Sequence, residues 1–425
     1  MNFHKICVLG LGYIGLPTAS TFATYGLQVV GVDVNQQIVH GLQNGQLHLY
    51  EPGLRTLVQA ALKSGNLIIQ QQPANADVFI IAVPTPITKE KKADMQYVTS
   101  AAESLLPVLN RGNLVVLEST SPPRTTLDLV APILERSGLK AGKDFFLVYS
   151  PERVLPGQIL RELIENTRII GGINETSAQY GRDLYATFVR GDIILTDATT
   201  AEMVKLMENT YRDVNIALAN EFSHLAERFS VDTWEVIRLA NLHPRVNILN
   251  PGPGVGGHCI SVDPWFLVEA APDETSLIRT ARLVNDSQPQ HVVNMIHQHF
   301  GEIRDKKIAL LGLTYKANVD DLRESPSLVV ASLLLKQGAQ VSAFDPFIKN
   351  TQHFKFHIAT TWLEAIQECE AILLLVAHDE LLELEPQQVY KHTKARVVVD
   401  TVNGWDRKTW QAAGFHFLRL GDGKA

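Results

Sequence analysis

The sequence has 425 residues, of which 45% are hydrophobic and 20% are charged, and its formal net charge is -7. Because this length exceeds what one ordinary hydrophobic core serves, two or three domains are expected. The composition excludes disordered and collagen-like chains, and the net negative charge argues against a nucleic-acid partner.

The N-terminus and the cysteines bear on the cellular compartment. Residues 1–5 lead directly into an apolar strand and lack the long hydrophobic core of a secretory signal. Apolar runs such as residues 371–377 are far shorter than a membrane span, which needs about 20 residues. The three cysteines, Cys7, Cys259 and Cys369, do not form a disulfide framework. We therefore expect a cytoplasmic protein with reduced thiols and no membrane partner.

Short apolar runs alternate with helical patterns over the first half of the chain. The predicted strands are residues 6–9, 29–32, 78–83, 114–117 and 146–149. Helices are predicted to begin near Ile14 and Gln36. Continuous apolar strands separated by helices favour a parallel sheet that is covered on both faces.

Long helices replace this alternation after residue 198. Residues 199–229 contain neither Pro nor Gly, and Thr199 with Glu202 matches a capping box at the start of a helix. A helix of this length is typical of a domain connector or a subunit interface. A second long helix is predicted over residues 276–299, with a kink at Pro289.

Strand–helix alternation restarts at Lys306. Residues 308–311, 341–344, 372–376 and 397–399 are predicted strands, and residues 327–336 are a predicted helix. The sequence thus predicts an α/β fold with two doubly wound, Rossmann-like sheet domains joined by a long-helix connector. The expected domains are residues 1–198, 199–303 and 304–425.

The turn after the first predicted strand carries Gly10, Gly12 and Gly15 in the spacing G-x-G-x-x-G. A turn of this kind, followed by a helix, binds a dinucleotide pyrophosphate through backbone N–H groups. Asp33 ends the second strand, where its carboxylate can accept hydrogen bonds from ribose hydroxyls and would repel a 2′-phosphate. The predicted cofactor is therefore NAD rather than NADP.

Three polar side chains follow further predicted strands. Glu152 lies where a general base would act, although a salt bridge to a neighbouring arginine is the alternative. Thr85 and Thr120 are candidate cofactor contacts, although each could simply cap a helix or turn. Ligands of open α/β sheets bind at this carboxyl edge.

Cys259 is the candidate nucleophile. It follows Gly256 and Gly257, which would let a substrate approach the backbone closely. Cys7 and Cys369 lie in or beside apolar strands, where a cysteine is ordinarily a small buried hydrophobe. A lone cysteine in a glycine-rich loop fits a catalytic role better.

Polar groups on the helix over residues 199–229 could assist that chemistry. Lys205 and Asn209 share a face, and Arg212 lies three residues further on. A cation and an amide can stabilise a negative oxygen. Lys205 or His258 could also supply the cation that a Cys259 thiolate needs. The alternative is a solvated polar face.

Two basic groups of residues could bind phosphate, which a negatively charged protein must do through local cations. Lys316 and Arg323 lie in a strand–helix turn of the second sheet domain, where only Gly312 remains of any glycine pattern. His243 and Arg245 precede the Pro/Gly-rich stretch of residues 250–257.

Taken in order over nearly the whole chain, these motifs resemble the UDP-glucose/GDP-mannose 6-dehydrogenase family. The motifs are the glycine turn with Leu16-Pro17, Val83-Pro84-Thr85-Pro86, Pro151-Glu152-Arg153, Lys205 with Asn209, Gly256-Gly257-x-Cys259 and Arg323-Glu324-Ser325-Pro326. Residues 251–266 are similar to the UDP-N-acetylhexosamine branch of that family. Residues 243–247 are similar to members that act on UDP-N-acetyl-D-mannosamine.

The resemblance implies an NAD-dependent enzyme that oxidises C6 of UDP-N-acetyl-D-mannosamine twice, through a thiohemiacetal and a thioester on Cys259. Lys205 would donate and accept the proton. Water and oxyanions would be handled by Glu152, Asn209, Asp263 and Thr120. NAD would contact Gly10, Gly12, Tyr13, Ile14, Gly15, Asp33, Thr85, Thr120 and Arg323. The UDP-sugar would contact Arg153, Val154, Lys205, Asn209, Arg212, His243, Arg245, Gly256, Tyr315 and Lys316.

The resemblance also assigns roles to the three predicted domains. Residues 1–198 would bind NAD, residues 199–303 would carry the catalytic loop and dimerise, and residues 304–425 would bind the UDP-sugar. A homo-oligomer is expected, either a dimer or a dimer of dimers, with Arg245 reaching across an interface. No metal is expected. The product would serve bacterial surface polysaccharides such as enterobacterial common antigen.

Several alternatives stay open at this point. The same reaction could act on UDP-N-acetylglucosamine, UDP-N-acetylgalactosamine or UDP-glucose, because no single residue decides the epimer. A single-step hydroxyacid dehydrogenase or a non-catalytic dinucleotide sensor would not need Cys259. The four-electron scheme requires the sulfur of Cys259 to face both the nicotinamide and the amine of Lys205, in the cleft between the sheets.

Overall fold

The computed structural model describes residues 3–349 and 353–424. These residues divide into two compact units, each built around its own sheet. The first unit holds the chain up to Glu208 together with Trp265–Pro272, and the second holds Asn209–Pro264 together with the chain from Asp273 onward. The three-domain boundaries stay a prediction. Among the described residues, none of the helices combines the length and apolar character needed to cross a membrane.

Eight strands form the sheet of the first unit, in the order β3-β2-β1-β4-β5-β6-β7-β8. Their bounds are β1 Lys5–Leu9, β2 Gln28–Val32, β3 Leu67–Gln70, β4 Val78–Ile81, β5 Leu114–Leu117, β6 Phe146–Tyr149, β7 Arg168–Gly172 and β8 Ile193–Asp197. Within the described part of this sheet, β6 and β7 are the one antiparallel pair. The sequence did not predict β3, β7 or β8.

Helices cover both faces of this sheet. They are α1 Gly15–Thr24, α2 Gln36–Gln43, α3 Leu54–Lys63, α4 Gln96–Ser104, a π-helical turn at Thr126–Val130, α5 Ala131–Glu135, α6 Ile159–Glu165 and α7 Glu175–Tyr185. Alternate residues of β1 enter opposite apolar layers, with Ile6 and Val8 on one face and Cys7 and Leu9 on the other. Burial on both faces explains why the central strands are continuously apolar.

The capping box predicted from Thr199 and Glu202 is wrong. Helix α8 spans Ala198–Arg228, and Asp197 caps it by accepting a hydrogen bond from the Thr200 backbone N–H at 2.9 Å. Glu202 is fully buried and accepts instead from the Thr126 backbone N–H at 2.8 Å and its hydroxyl at 2.6 Å. A buried carboxylate needs such donors, so this tertiary contact takes precedence over the local motif.

Six strands, parallel throughout their described pairs, form the sheet of the second unit in the order β11-β10-β9-β12-β13-β14. Their bounds are β9 Lys307–Leu311, β10 Gln340–Phe344, β11 His357–Ile358, β12 Ala371–Leu374, β13 Val397–Asp400 and β14 His416–Arg419. The two sheets confirm the predicted α/β fold with two Rossmann-like units.

The remaining helices follow α8 along the chain and belong to the second unit, except that residues 265–270 of α10 belong to the first. They are α9 Thr233–Ala240, α10 Asp263–Ala270, α11 Ser276–Phe300, α12 Pro326–Lys336, α13 Trp362–Ile366, α14 Asp379–Leu382, α15 Pro386–His392 and α16 Arg407–Ala412. Helix α11 continues through Pro289, and the kink predicted there stays a prediction. Helices α11 and α12 contribute Val292, Ile296 and Val330 to the apolar layer on one face of the sheet.

The turn between β1 and α1 depends on glycine at two of its three positions. Gly10 has a φ of +90°, and a Cβ there would lie 2.5 Å from the Ala82 carbonyl oxygen. A Cβ on Gly15 would lie 1.8 Å from the Gly10 carbonyl oxygen. At Gly12 no atom of the described residues other than Gly12 and its two chain neighbours lies within 4 Å of the Cβ position. The first and third glycines therefore permit packing, whereas the second borders open space.

We predict that Gly15→Ala lowers the free energy of unfolding by about 1–3 kcal/mol, because the added methyl overpacks the turn. Gly12→Ala is the matched control, and its effect should stay within about 0.5 kcal/mol because the methyl meets open space. Thermal melting of both variants without cofactor measures the difference. Equal losses in the two variants would contradict the assignment of space in this turn.

Candidate active site

The sequence-predicted site residues are divided between the two units. The first unit contains Gly10, Gly12, Tyr13, Ile14, Gly15, Asp33, Thr85, Thr120, Glu152, Arg153, Val154 and Lys205. The second unit contains Asn209, Arg212, His243, Arg245, Gly256, Cys259, Asp263, Tyr315, Lys316 and Arg323. The meeting of Cys259 with Lys205 stays a prediction.

The first unit offers the elements of a dinucleotide site at the end of β1. Asp33 accepts hydrogen bonds from the backbone N–H of Leu11 at 3.0 Å and of Asn35 at 2.9 Å. Helix α1 begins after Ile14 without a side-chain cap among the described residues, which leaves its positive end suited to an anion. Together with the open space at Gly12, these features fit a bound pyrophosphate and its ribose.

The second unit has a turn of the same kind after β9, but a buried histidine covers the carboxylate that supports it. Gly312 has a φ of +89°, and Asp345, directly after β10, accepts from the backbone N–H of Leu313 at 2.6 Å and of Thr314 at 3.0 Å. His378 covers Asp345, with Nε2 at 3.1 Å from the carboxylate, and both side chains are fully buried. Although burial opposes it, hydrogen bonding from His378 holds the pKa of Asp345 below its ordinary value.

Cys259 lies in the second unit, just before α10. Its carbonyl oxygen accepts hydrogen bonds from the backbone N–H of Val262 at 3.0 Å and of Asp263 at 2.8 Å. Cys259 is partly exposed. Cys7 and Cys369 are fully buried, and burial raises the pKa of each thiol to about 11. Since the thiolate is the reactive form, the structure supports the distinction that the sequence made between Cys259 and the other two.

The space beside Gly256 and Gly257 is filled by the chain itself rather than left for a substrate. A Cβ on Gly256 would lie 2.7 Å from the Tyr315 Cβ and 2.7 Å from the Glu324 carbonyl oxygen. A Cβ on Gly257, which has a φ of +85°, would lie 2.8 Å from the Tyr315 ring. The Gly257 backbone N–H donates to the Arg323 carbonyl oxygen at 2.9 Å. The glycines therefore let residues 315–326 pack against the cysteine loop.

A buried amide–carboxylate pair adjoins the cysteine loop. Asn209 Nδ2 donates to Asp263 Oδ2 at 2.5 Å, and both residues are buried. Asp263 opens α10 and also donates its backbone N–H to Cys259. The structure thus joins Asn209, Asp263 and the Cys259 loop within one unit. Lys205, one turn earlier on α8, is also buried.

The predicted anion contacts differ in their surroundings. Arg212, His243 and Arg245 are exposed in the single chain, whereas Lys316 is partly buried. Arg153 is already engaged, because its guanidinium lies 2.5 Å from a Glu208 carboxylate oxygen. The predicted residues are therefore a mixture of solvent-facing and paired cations.

A buried ion cluster, which the sequence did not predict, lies where β5 and β6 end. Arg168 Nη2 is 2.8 Å from Glu118 Oε1 and 3.2 Å from Glu152 Oε2, and Arg168 Nε donates to Ser150 Oγ at 2.9 Å. The guanidinium lies 3.9 Å from the centre of the Tyr185 ring, whose hydroxyl donates to Glu118. The salt bridge that the sequence left open for Glu152 is therefore present.

Burial controls the charges in this cluster. It raises the pKa of Glu118 to about 7, although the Arg168 guanidinium acts in the opposite direction. Burial also raises the pKa of Tyr185 well above its ordinary value, so its hydroxyl is a neutral donor. Burial alone would lower the pKa of Arg168, but Glu152, Tyr185 and Glu118 raise it above the usual range. Arg168 is therefore charged.

Protein-family models match the chain in three consecutive segments. All three belong to the UDP-glucose/GDP-mannose dehydrogenase family: its NAD binding domain over residues 4–189, its central domain over residues 199–287 and its UDP binding domain over residues 309–407. The order of these domains agrees with the positions of the glycine turn, the cysteine loop and the second sheet.

Individual relatives span nearly the whole chain. A UDP-N-acetyl-D-mannosamine dehydrogenase from Methanococcus maripaludis is 48% identical over 99% of this chain and 98% of its own length. An NDP-N-acetyl-D-galactosaminuronic acid dehydrogenase from Ralstonia solanacearum is 46% identical over 96% and 98%. The solved structure of a UDP-D-ManNAc dehydrogenase from Pyrococcus horikoshii has a TM-score of 0.93 at 39% identity, over 99% of this chain and 100% of that one. The chain therefore belongs to the UDP-glucose/GDP-mannose dehydrogenase family and is an NAD-dependent oxidoreductase that acts on nucleotide sugars.

Proposed function

We propose that this protein oxidises C6 of UDP-N-acetyl-D-mannosamine to the carboxylate, with two NAD consumed per sugar. The substrate is supported by the names of full-length relatives such as the one from Methanococcus maripaludis. The observation that carries the chemistry is the partly exposed Cys259, whose loop is tied to the buried Asn209–Asp263 pair.

Bound NAD supplies the hydride acceptor for both oxidations, and the residues that would hold it are Gly10, Gly12, Gly15 and Asp33. In the first oxidation, Lys205 accepts the proton of the C6 hydroxyl as C6 becomes an aldehyde. A lysine amine can serve as such a general base.

The second oxidation depends on Cys259. Its thiolate adds to the aldehyde carbon, and the resulting oxyanion is stabilised by the Asn209 amide, which Asp263 orients. Lys205 returns its proton to this oxyanion, so the adduct again carries a hydroxyl on C6. The second hydride then leaves this alcohol-like carbon, Lys205 accepts the hydroxyl proton, and a thioester remains. Glu152 then directs the water that hydrolyses the thioester.

Other sugars are the main alternative. The relative from Ralstonia solanacearum is named for N-acetyl-D-galactosaminuronic acid, which favours UDP-N-acetylgalactosamine as the second candidate. UDP-N-acetylglucosamine and UDP-glucose stay further alternatives. A hydroxyacid dehydrogenase or a dinucleotide sensor would leave Cys259 without a purpose.

The cellular setting follows from the same chemistry. A Cys259 nucleophile must stay reduced, which is the ordinary condition of cytoplasmic thiols, so we place the reaction in the cytoplasm. Use of the product in a bacterial surface polysaccharide, such as enterobacterial common antigen, stays a prediction.

We further propose that the protein works as a homo-oligomer formed through α8. Tyr211, Leu218 and Leu225 are exposed on this helix at intervals of seven residues, and Phe229 follows one turn later. Seven residues are about two helical turns, so these side chains form one apolar stripe. Because the stripe repeats along the helix, a second copy related by a two-fold axis presents a matching surface.

We predict that UDP-N-acetyl-D-mannosamine yields two NADH per sugar. We also expect its kcat/KM to be higher by about tenfold or more than that of each of three other sugars: UDP-N-acetylglucosamine, which is its 2-epimer, UDP-N-acetylgalactosamine and UDP-glucose. NADH absorbance across this substrate panel measures both quantities. Cys259→Ala should abolish acid formation, whereas Cys369→Ala, at a thiol buried in an apolar layer of the second sheet, should retain it. One NADH per sugar, or unchanged acid formation by Cys259→Ala, would refute the scheme.

We predict that Leu218→Glu weakens self-association, because it places a charge within the apolar stripe of each copy. Sedimentation at several protein concentrations measures the dissociation constant, which should rise by about tenfold or more. Ile68→Glu, at an exposed apolar residue of β3, is the matched control and should leave association unchanged. A wild-type monomer at all concentrations would contradict the homo-oligomer proposed through α8.

A further inference from the structure

The buried cluster around Arg168 links two strand ends that carry proposed site residues. Glu118 follows β5 and stands two residues before Thr120, and Glu152 follows β6. Arg168 contacts both carboxylates through the same nitrogen, Nη2, at 2.8 and 3.2 Å. Its side chain is only 5% exposed, so it acts on these carboxylates rather than on solvent.

The antiparallel pairing of β6 and β7 explains how Arg168 reaches this edge. Val148 lies opposite Gly172 and Tyr149 opposite Gly171. Each step forward along β6 is one step back along β7, so continuing this register places Glu152 opposite Arg168. In a parallel pair the first residue of β7 would lie at the other edge of the sheet.

Both carboxylate oxygens of Glu152 have donors. Oε1 accepts from the Arg153 backbone N–H at 2.7 Å, and Oε2 accepts from Arg168 Nη2 at 3.2 Å. A cavity of about 10 Å³ is bounded by Glu152, Thr167 and Arg168, among other residues, which is close to the smallest space that holds a water. The Glu152 carboxylate is thus fixed in orientation by a donor on each of its two oxygens.

The charges of the cluster agree with this arrangement. Two carboxylates share one guanidinium, and burial raises the pKa of Glu118. The proton therefore resides on Glu118 more readily than on an ordinary glutamate. Glu118 and Glu152 are nevertheless both held by the single guanidinium of Arg168.

We propose that Arg168 is a positioning residue that holds Glu152 for thioester hydrolysis, and that Glu118 holds Arg168. This inference rests on the proposed function. In the step concerned, a water oxygen forms a bond to the thioester carbon and the carbon–sulfur bond breaks. The electron pair of that bond leaves on Cys259 as a thiolate. One water proton passes to Glu152 and then to solvent, and the second is released from the acid, leaving the sugar carboxylate.

The decisive variant is Arg168→Lys, which keeps the charge but replaces the planar fork with a single ammonium that cannot make the same set of contacts. The variant is incubated with saturating UDP-N-acetyl-D-mannosamine and NAD, and the reaction is quenched. Intact-mass measurement and peptide mapping should then find the sugar acyl group on Cys259 of the variant. We expect kcat to fall about 10- to 100-fold, while the first hydride transfer in a single turnover stays within about threefold. Wild-type protein should show little adduct.

The matched control is Arg282→Lys. Arg282 is 1% exposed and also pairs with two carboxylates, Asp213 and Asp286, neither of which takes part in the proposed hydrolysis. A general loss of stability should appear in both variants as a lower melting temperature, without adduct in Arg282→Lys. If Arg168→Lys does not fold, Glu118→Gln keeps the shape of the cluster and should accumulate adduct to a smaller extent.

Three outcomes distinguish the positioning role of Arg168 from the proposed function on which it rests. Adduct in Arg168→Lys or Glu118→Gln, together with a preserved first hydride transfer, supports the positioning role. Adduct in Glu152→Gln but in neither of these variants would overturn it while leaving the proposed function intact. A wild-type enzyme that yields one NADH per sugar would overturn both.

Discussion

One hydrogen bond recurs in both sheets and supports the turn that follows the first strand of each, β1 in one unit and β9 in the other. The carboxylate that follows the second strand accepts from the backbone N–H of the turn after the first strand, as Asp33 does from Leu11 at 3.0 Å and Asp345 does from Leu313 at 2.6 Å. It holds a turn in which Gly10 and Gly312 take left-handed φ values of +90° and +89°. The two units then differ in what covers this turn. In the first unit, Gly12 borders open space. In the second unit, His378 covers the Asp345 carboxylate. This difference is consistent with a dinucleotide at the turn of the first unit alone.

The cysteine loop illustrates a different use of glycine. Gly256 and Gly257 are small because Tyr315 and the backbone near Glu324 pack directly against them. The loop is also tied to α10 through Asp263, which pairs with Asn209 on α8. Backbone packing and a buried polar pair therefore position Cys259 from two sides within one unit. Such preorganised surroundings are what a site for oxyanion chemistry requires.

Features with a local physical cause could be predicted from the sequence. Strands β4 and β5 are apolar at every position because they are buried on both faces, and the glycine spacing marks its own turn. Features that depend on distant partners could not be predicted. Glu202 has the spacing of a capping box, yet it binds Thr126. Arg168 contacts Glu152 only because β7 runs against β6, and strand direction is not encoded in a five-residue pattern. For the same reason, Glu118 gave no signal beyond its place after a strand.

The central claim is that Cys259 carries the sugar covalently between the two oxidations, and the most direct measurement uses Cys259→Ser. Serine is a poorer nucleophile and its ester hydrolyses more slowly than a thioester, so this variant should stop after one NADH or retain the acyl group. After incubation with UDP-N-acetyl-D-mannosamine and NAD, peptide mass mapping should find either the acyl ester at position 259 or unmodified protein with one NADH per sugar. Two NADH per sugar at the wild-type rate, with no adduct, would contradict the account.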